Sequence, residues 1–258
     1  MWQRKPTSNP SGTTSVQPSS TNGKIKVNGA DIIVYDDTQV RNLITSNNAD
    51  PSYMKYSGKR VFCFGDSITQ SVGAANNYPT HLSTKLNANV TNFGSSGGDH
   101  NRFRCIVCGG TSNGGLTFTA PDFTIADVVT LTIGHNGGVG SSTMNDISGI
   151  NDFNLYPDTY YGNFCRSIEY ILNQNQNVKI YLMTPIQSLN ASYITNTAAS
   201  TTAIKIIGAK YALPVIDLQN TSGLNFRNLS LFTGDGTHPN PTGALKIAEV
   251  VYRQMLSY

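Results

Sequence analysis

The chain has 258 residues, of which 13% are charged, and its formal net charge is +3. This length suits one large domain, or a medium-sized domain with an appendage. Because the sequence has no Lys or Arg cluster and its apolar runs are too short to span a bilayer, we expect no nucleic acid and no membrane among its partners.

The first part of the chain carries no candidate catalytic pair. Residues 1–23 are rich in Ser, Thr, Pro and Asn, which predicts a flexible or extended arm, and they lack the apolar centre of a secretory signal peptide. The next stretch, "KIKVNGADIIVYDD", predicts a β-hairpin, because β-favouring residues flank Asn28-Gly29. An isolated hairpin is marginally stable in water. We therefore predict that residues 1–56 form a module for attachment or for assembly of a homo-oligomer, such as a trimer.

From about residue 57 onward, strand patterns alternate with helix patterns. Five short runs predict strands: "RVFCFG", "NVTNFG", "DVVTLTIG", "VKIYLMTP" and "LPVIDL". Between them, residues 76–86 read as a helix, and apolar residues at helical spacing mark three more helices: Phe164, Ile168, Ile171 and Leu172, then Ile204 and Ile207, then Ala244, Ile247, Ala248 and Val251. This alternation predicts an α/β fold over residues 57–258, a three-layer α/β/α sandwich around a parallel sheet.

Polar residues cluster where the predicted strands end. The clusters are Gly65-Asp66-Ser67, "NFGSSGG" at 92–98, Gly134-His135-Asn136, and "GDGTHPNPTG" at 234–243 before the last helix. Each cluster alone is also typical of a structural turn. Ligands of parallel α/β sheets bind at the carboxyl ends of the strands, so the joint placement of the clusters favours a site.

Ser67 is the candidate nucleophile, and a serine needs a base that takes its proton. Among the four histidines, only His238 has a carboxylate three residues earlier, Asp235, which is close enough to orient its ring. His81 falls in a predicted amphipathic helix and suits a surface or boundary role. His100, in a Gly-rich loop, and His135 are candidates for substrate contact, as is Asp66.

Acyl transfer also needs hydrogen-bond donors for the oxygen that becomes negative in the tetrahedral state. Gly97 can bring a backbone N–H close to a substrate because it has no side chain. Asn136 can add a side-chain amide, and the N–H of Ser67 is a third donor. We therefore predict an oxyanion hole formed by Ser67, Gly97 and Asn136.

In order and in residue type, these blocks resemble those of the SGNH hydrolases, also called the GDSL esterase/lipase superfamily. The resemblance rests on "GDSIT", on Gly97, on the Gly134-x-Asn136 pair and on "DGTHP", and it covers about residues 60–258. It implies a flavodoxin-like sandwich that cleaves esters without a metal or other cofactor. It also implies a catalytic triad of Ser67, Asp235 and His238, and the same oxyanion donors.

The third block departs from the family pattern. The family commonly reads Gly-x-Asn-Asp, whereas Gly137 follows Asn136 here. A carboxylate that would brace the loop is therefore missing, which leaves the orientation of Asn136 less secure.

The four cysteines favour structural thiols over a metal site. Cys63 falls in a predicted strand and Cys165 in a predicted helix, while Cys105 and Cys108 form a single CxxC without a second pair or a suitably spaced histidine. We expect buried free thiols and no metal. The alternative is a metal hydrolase that uses Cys105, Cys108 and a nearby histidine.

Three functions follow from this sequence as hypotheses. The leading one is a serine esterase that removes short acyl groups, O-acetyl foremost, from an acylated polysaccharide or from a small ester. The second is a non-catalytic glycan-binding module, or adhesin, that keeps the hydrolase fold, and the third is the metal hydrolase. The Ser/Thr/Asn-rich N-terminal segment resembles attachment regions of bacteriophage tail proteins, which predicts a virion location, with a cytoplasmic enzyme as the alternative.

Overall fold

The structure, a computed structural model, describes residues 16–18, 24–27, 30–33, 55–71 and 77–258. Two compact units divide between Lys55 and Tyr56. In the first unit, β1 (Val16–Pro18), β2 (Lys24–Val27) and β3 (Ala30–Ile33) form an antiparallel sheet in that order. The pairing of β2 with β3 is the one predicted for the hairpin, although its turn, Asn28-Gly29, lies outside the described residues. Strand β1 lies within the segment predicted to be a flexible or extended arm, and it pairs with β2.

The second unit contains a five-stranded parallel sheet in the order β10-β9-β8-β4-β5. Its strands are β4 (Arg60–Gly65), β5 (Asn89–Gly94), β8 (Val128–Thr132), β9 (Lys179–Met183) and β10 (Val215–Ile216). The two short strands β6 (Gly110–Thr111) and β7 (Thr117–Phe118) form a separate antiparallel pair.

The helices of this unit are α1 (Ser67–Gln70), α2 (Tyr78–Leu86), α3 (His100–Cys108), α4 (Tyr160–Gln174), α5 (Ala191–Tyr211), α6 (Leu218–Thr221), α7 (Leu229–Phe232) and α8 (Pro241–Ser257). Short 3₁₀ turns occupy Phe123–Ile125, Met144–Ile147 and Phe153–Leu155. No helix among the described residues is both long and apolar enough to cross a bilayer.

Strand β4 shows why the helices form two layers. Successive side chains of a strand point to opposite faces, and here Val61 and Cys63 join one apolar core while Phe62 and Phe64 join the other. The first core contains residues of α2 and α8, and the second contains residues of α3, α4 and α5. The predicted three-layer α/β sandwich with a parallel sheet is therefore confirmed.

Most predicted elements are present, with shifts at their ends. The helix expected over residues 76–86 begins at Tyr78, because the Asn77 side chain caps it. The run "LPVIDL" contains only the two strand residues of β10, since Asp217 caps α6. The placement of His100 in a loop was wrong. Asp99 accepts a hydrogen bond from the Arg102 N–H and thereby starts α3 at His100.

The strand register determines which loops meet. Gly65 of β4 lies opposite Gly94 of β5, and Phe64 lies opposite Leu131 of β8. The chain therefore leaves these three neighbouring parallel strands at one edge of the sheet, where residues 66–71, 95–99 and 133–138 follow.

Candidate active site

Ser67 lies on a tight turn from β4 into α1. The Asp66 carboxylate caps this turn, since its Oδ1 accepts a hydrogen bond from the Ile68 N–H at 2.9 Å. The turn passes close to its own helix: a Cβ added at Gly65 would lie 2.0 Å from Thr69 Oγ1. Only glycine at position 65 therefore lets the end of β4 lie this close to the Thr69 side chain. Ser67 is the first residue of α1, so its backbone N–H has no partner within the helix.

The structure brings Ser67, His238 and Asp235 together in a chain of hydrogen bonds. Ser67 Oγ lies 3.0 Å from His238 Nε2, and His238 Nδ1 lies 2.7 Å from Asp235 Oδ2. Because a carboxylate only accepts, we place the ring proton on Nδ1, which leaves the Nε2 lone pair directed at the serine hydroxyl. This is the arrangement in which a histidine can deprotonate a serine.

The loop between α7 and α8 holds Asp235 and His238, the candidate acid and base. Thr233 pairs with Pro239 across this loop, and the Gly234 N–H donates to the His238 carbonyl. Asp235 Oδ1 accepts from the backbone N–H groups of Thr237 (2.9 Å) and His238 (2.7 Å).

These contacts also keep Asp235 ionised. Partial burial would raise the pKa of Asp235, but the hydrogen bonds from the His238 ring and from the two backbone N–H groups outweigh burial and lower it. The carboxylate is therefore charged and faces the imidazole.

The predicted Gly97 donor lies in a turn that backbone hydrogen bonds hold in place. The Ser95 N–H donates to the Gly65 carbonyl (2.9 Å), and the Gly98 N–H donates to the Ser95 carbonyl (3.0 Å). Gly97 itself has a φ of +68°, and its N–H makes no hydrogen bond within the described part of the chain. Its N–H is thus available to a ligand.

Two side chains that sequence reasoning missed hold this turn. Gln70 Oε1 accepts from the Ser96 N–H at 2.5 Å, and Arg102 Nη1 donates to the Ser96 carbonyl at 2.6 Å. The Ser96 carbonyl and the Gly97 N–H belong to the same peptide unit. A charged donor on that carbonyl polarises the unit and strengthens its N–H as a donor. Gln70 and Ser96 are 26 positions apart, so no local sequence pattern predicts their contact. It depends on the register of the strands that precede them.

Asn136 follows β8 and carries an unused donor. Its Nδ2 is buried and has no hydrogen-bond partner within the described residues. Buried amide groups are nearly always paired, so this orphan donor is a candidate for a group that pairs with a ligand.

The three candidates for substrate contact occupy two kinds of place: Asp66 and His135 are buried, and His100 is partly exposed. Asp66 and His135 have side chains that are only 3% exposed, and they bond to each other between Oδ2 and Nδ1 at 3.3 Å. Burial would raise the pKa of Asp66, but the hydrogen bond and charge of His135 and the Ile68 N–H lower it. His100 is partly exposed at the start of α3, and its Nδ1 accepts from Asn163 Nδ2 at 2.8 Å.

All four cysteines are free thiols, as expected, but Cys108 is only partly buried. Cys63, Cys105 and Cys165 are buried, and burial raises the pKa of Cys63 and Cys165 to about 12 and that of Cys108 to about 11. Over the ranges that the structure describes, no three His, Cys, Asp or Glu side chains are grouped to hold a metal ion.

Comparison with known proteins adds a family and a fold. The profile of the GDSL-like Lipase/Acylhydrolase family matches residues 63–245, whereas no curated protein sequence matches the chain significantly. Among solved structures, a possible lipase from Chitinophaga pinensis is similar with a TM-score of 0.56 at 20% identity, over 76% of this chain and 98% of that one.

Two further solved structures are similar at comparable levels. An acetylxylan esterase from Geobacillus stearothermophilus aligns with a TM-score of 0.51 at 17% identity, over 80% of this chain and 97% of that one. A lipase/acylhydrolase from Enterococcus faecalis aligns with a TM-score of 0.51 at 18% identity, over 77% and 96%. At these identities the likeness concerns the fold alone.

Proposed function

Because the chain belongs to the GDSL-like Lipase/Acylhydrolase family and is therefore a hydrolase, we propose that it is a serine esterase that removes O-acetyl groups from a carbohydrate. The observation that carries the proposal is the hydrogen-bond chain from Ser67 Oγ through His238 to Asp235. A family member that had become a pure binding module would have no need to keep this chain of contacts.

The first half of the reaction transfers the acyl group to the enzyme. Ser67 Oγ attacks the ester carbonyl carbon while its proton moves to His238 Nε2. Asp235 stabilises the imidazolium through Nδ1. The oxygen that becomes negative accepts hydrogen bonds from the N–H groups of Ser67 and Gly97 and from Asn136 Nδ2. His238 then protonates the leaving sugar oxygen, the bond from carbonyl carbon to sugar oxygen breaks, and an acetyl-Ser67 ester remains.

The second half returns the enzyme to its starting state. His238 Nε2 takes a proton from water, whose oxygen attacks the acetyl carbonyl through the same oxyanion contacts. Collapse of this intermediate breaks the bond to Ser67 Oγ, which regains its proton from His238 as acetic acid leaves. The steps need no further reactant, so the chemistry is complete with the residues named.

The substrate class is supported by weaker observations. The sequence has no long apolar insertion that would cover a lipid chain, and its surface composition, rich in amides and hydroxyls, suits a hydrated glycan. The acetylxylan esterase with a similar fold acts on an acetylated carbohydrate by its name. The phage-tail location stays a prediction that rests on the N-terminal segment, and the comparisons give it no support.

The test has two arms. In the first, hydrolysis of an aryl acetate is measured for wild type, Ser67→Ala and His238→Ala, with Ser257→Ala and His81→Ala as matched controls that make no hydrogen bond to the triad. We expect losses of roughly 10⁴-fold or more for the triad variants, and changes within about twofold for the controls. Near-wild-type turnover in a folded Ser67→Ala variant would remove the assignment.

In the second arm, acetate release is measured from a panel of acetylated glycans, with Ser67→Ala as the blank. Release from a glycan but not from acylated lipids supports the substrate class. Binding of a glycan without turnover of any ester would favour the adhesin instead. Loss of activity on chelation, with recovery on added zinc, would favour the metal hydrolase.

A further inference from the structure

The turn after β4 supplies Ser67 to the proposed site, and the turn after β8 supplies Asn136. The residues directly before these two contact each other and so connect the two turns. Asp66 directly precedes Ser67, and His135 directly precedes Asn136. The ring nitrogen Nδ1 of His135 lies 3.3 Å from Asp66 Oδ2, and both side chains are 3% exposed. The pair therefore joins the turn after β4 to the turn after β8, at the position before Ser67 in one turn and before Asn136 in the other.

Each partner is held by further contacts that leave it little freedom. Asp66 uses its other oxygen, Oδ1, to cap α1, so the carboxylate cannot rotate without losing that bond. The His135 carbonyl accepts from Asn196 Nδ2 at 3.2 Å, and the His135 ring meets the Tyr193 ring edge-on, with centroids 5.9 Å apart. A buried charge is costly unless it is paired, which favours retention of the contact.

On the other side of Asn136, position 137 has no room for a side chain. Gly137 has a φ of +55°, and a Cβ added there would lie 2.8 Å from Asp99 Cβ. A side chain at position 137 therefore has no room beside Asp99, and the loop cannot be braced from that position. Asn136 Nδ2 has no partner in the described protein that would hold it in place.

We propose that His135, hydrogen-bonded to Asp66, is a positioning residue that holds Asn136 Nδ2 at the oxyanion and takes over the bracing role that position 137 cannot fill. This inference rests on the proposed esterase function. It assigns Asp66 and His135 to the support of the site rather than to substrate contact. His135 Nε2 is buried and has no hydrogen-bond partner within the described residues, so no second hydrogen bond of the ring competes with the one to Asp66.

A double-mutant cycle tests the proposal on aryl acetate hydrolysis. His135→Ala should lower kcat by about 10- to 100-fold with KM changed less than about threefold, because a misplaced donor is lost from the transition state only. In an Asn136→Ala background, His135→Ala should lower kcat by less than about threefold, because the side chain that His135 positions is then absent. Equal effects of His135→Ala in both backgrounds would overturn the proposal.

Two matched variants distinguish a positioning role of His135 from a general effect of the substitution on folding. His135→Asn keeps a donor close to the place of Nδ1 and should restore kcat to within about fivefold of wild type. His81→Ala removes a histidine from α2, outside the site, whose Nε2 is likewise buried and unpartnered, and should leave kcat within about twofold. A His135→Asn variant as slow as His135→Ala, with the fold intact by circular dichroism, would contradict the role of the hydrogen bond.

A spectroscopic measurement distinguishes failure of this inference from failure of the proposed function. The side-chain N–H resonances of Asn136, identified by their loss in Asn136→Ala, should form one sharp pair in wild type and in His135→Asn. They should broaden or split in His135→Ala. If the wild type hydrolyses no ester, the proposed function fails while this readout still decides the positioning role. Unchanged Asn136 resonances in His135→Ala would reject that role.

Discussion

The site contains two carboxylate–imidazole pairs that differ in exposure. In the pair of Asp235 and His238 the side chains are 56% and 22% exposed, whereas in the pair of Asp66 and His135 both are 3% exposed. Water screens the charges of the exposed pair. The buried pair is screened far less and suits a contact that does not change during turnover.

The orphan donor of Asn136 leads to a prediction at the residue scale. Asn136→Ala should reduce kcat by roughly 10²- to 10³-fold with little change in KM, because the lost hydrogen bond forms mainly in the transition state. Steady-state kinetics on an aryl acetate measures both constants. A reduction below about threefold would mean that the loop holds Asn136 away from the oxyanion and that the two backbone donors act alone.

Asp158 provides a prediction for stability at low pH. Partial burial would raise the pKa of Asp158, but hydrogen bonds from Asn101, Asn163 and Asn113 outweigh burial and hold it at about 2. A lowered pKa stabilises the fold above the pKa of the unfolded state, about 3.9, and this contribution disappears as the pH falls through about 2.

The matching experiment is urea unfolding of wild type and Asp158→Asn at pH 7 and at several values between pH 4 and pH 2. The variant should be less stable at pH 7, because an amide cannot accept from all three asparagines. Its stability should also fall less steeply in acid. Since Asp158 is exposed, solvent screening keeps the difference small. Parallel pH profiles would contradict the assignment.

At the scale of elements, the nucleophile turn depends on close packing of α1 against the end of β5. A Cβ added at Gly94 would lie 2.2 Å from Gln70 N and 2.6 Å from Thr69 C, which are backbone atoms that cannot move aside cheaply. Gly94→Ala should destabilise the fold by about 1–3 kcal/mol or more, by overpacking. Gly234→Ala, where a Cβ meets nothing within 4 Å, is the control and should stay within about 0.5 kcal/mol of wild type.

Urea unfolding measures both glycine variants. Because α1 begins at Ser67, Gly94→Ala should also lower kcat, whereas a purely global loss of stability would leave kcat of the folded fraction unchanged. Equal stability of the two variants would show that α1 can shift away from β5 without cost.

Sequence patterns predicted the layers of the fold because burial sets the spacing of apolar residues. Strands with continuous apolar runs and helices with periodic stripes were therefore found, as in β8 and α4. Helix α3 was missed, since Gly97-Gly98 before it and the polar residues of its first turn masked the cap at Asp99 and the apolar set of Phe103, Ile106 and Val107. Strand β1 was missed because it is short and contains Pro18.

Sequence reasoning can propose those members of the candidate site that are close together in the chain or that belong to a rare residue type, such as histidine. Asp235 and His238 are three residues apart, so their spacing alone indicates a pair. The contact of Asp66 with His135 joins positions 69 residues apart, and it depends on β4 lying next to β8 in the sheet. That adjacency is a property of the assembled sheet, which no local pattern encodes.

At the scale of the whole molecule, we predict that the unit from Tyr56 onward carries the activity by itself. Tyr56 belongs with it, because its hydroxyl lies 2.5 Å from the Tyr181 hydroxyl and donates to the Met255 carbonyl at 2.9 Å. Removal of residues 1–55 should leave kcat/KM for a small aryl acetate within about threefold of the full chain, since every proposed catalytic group is retained.

The same truncation tests the role predicted for the N-terminal segment. Light scattering should show an oligomer for the full chain and a monomer after the deletion. A full chain that is already monomeric would refute assembly through this segment. A truncated protein that is folded but inactive would place part of the active site within residues 1–55.

The long separation between Ser67 and His238 has a consequence for protein synthesis. The two residues are 171 positions apart, and α8, which completes one apolar core, follows the base. A ribosome therefore makes the proposed nucleophile long before the proposed base, and a nascent chain that still lacks the loop before α8 lacks the group that we propose to activate Ser67. We expect products of premature termination within this stretch to be inert toward esters, so that only chains extending past His238 are released with hydrolytic activity.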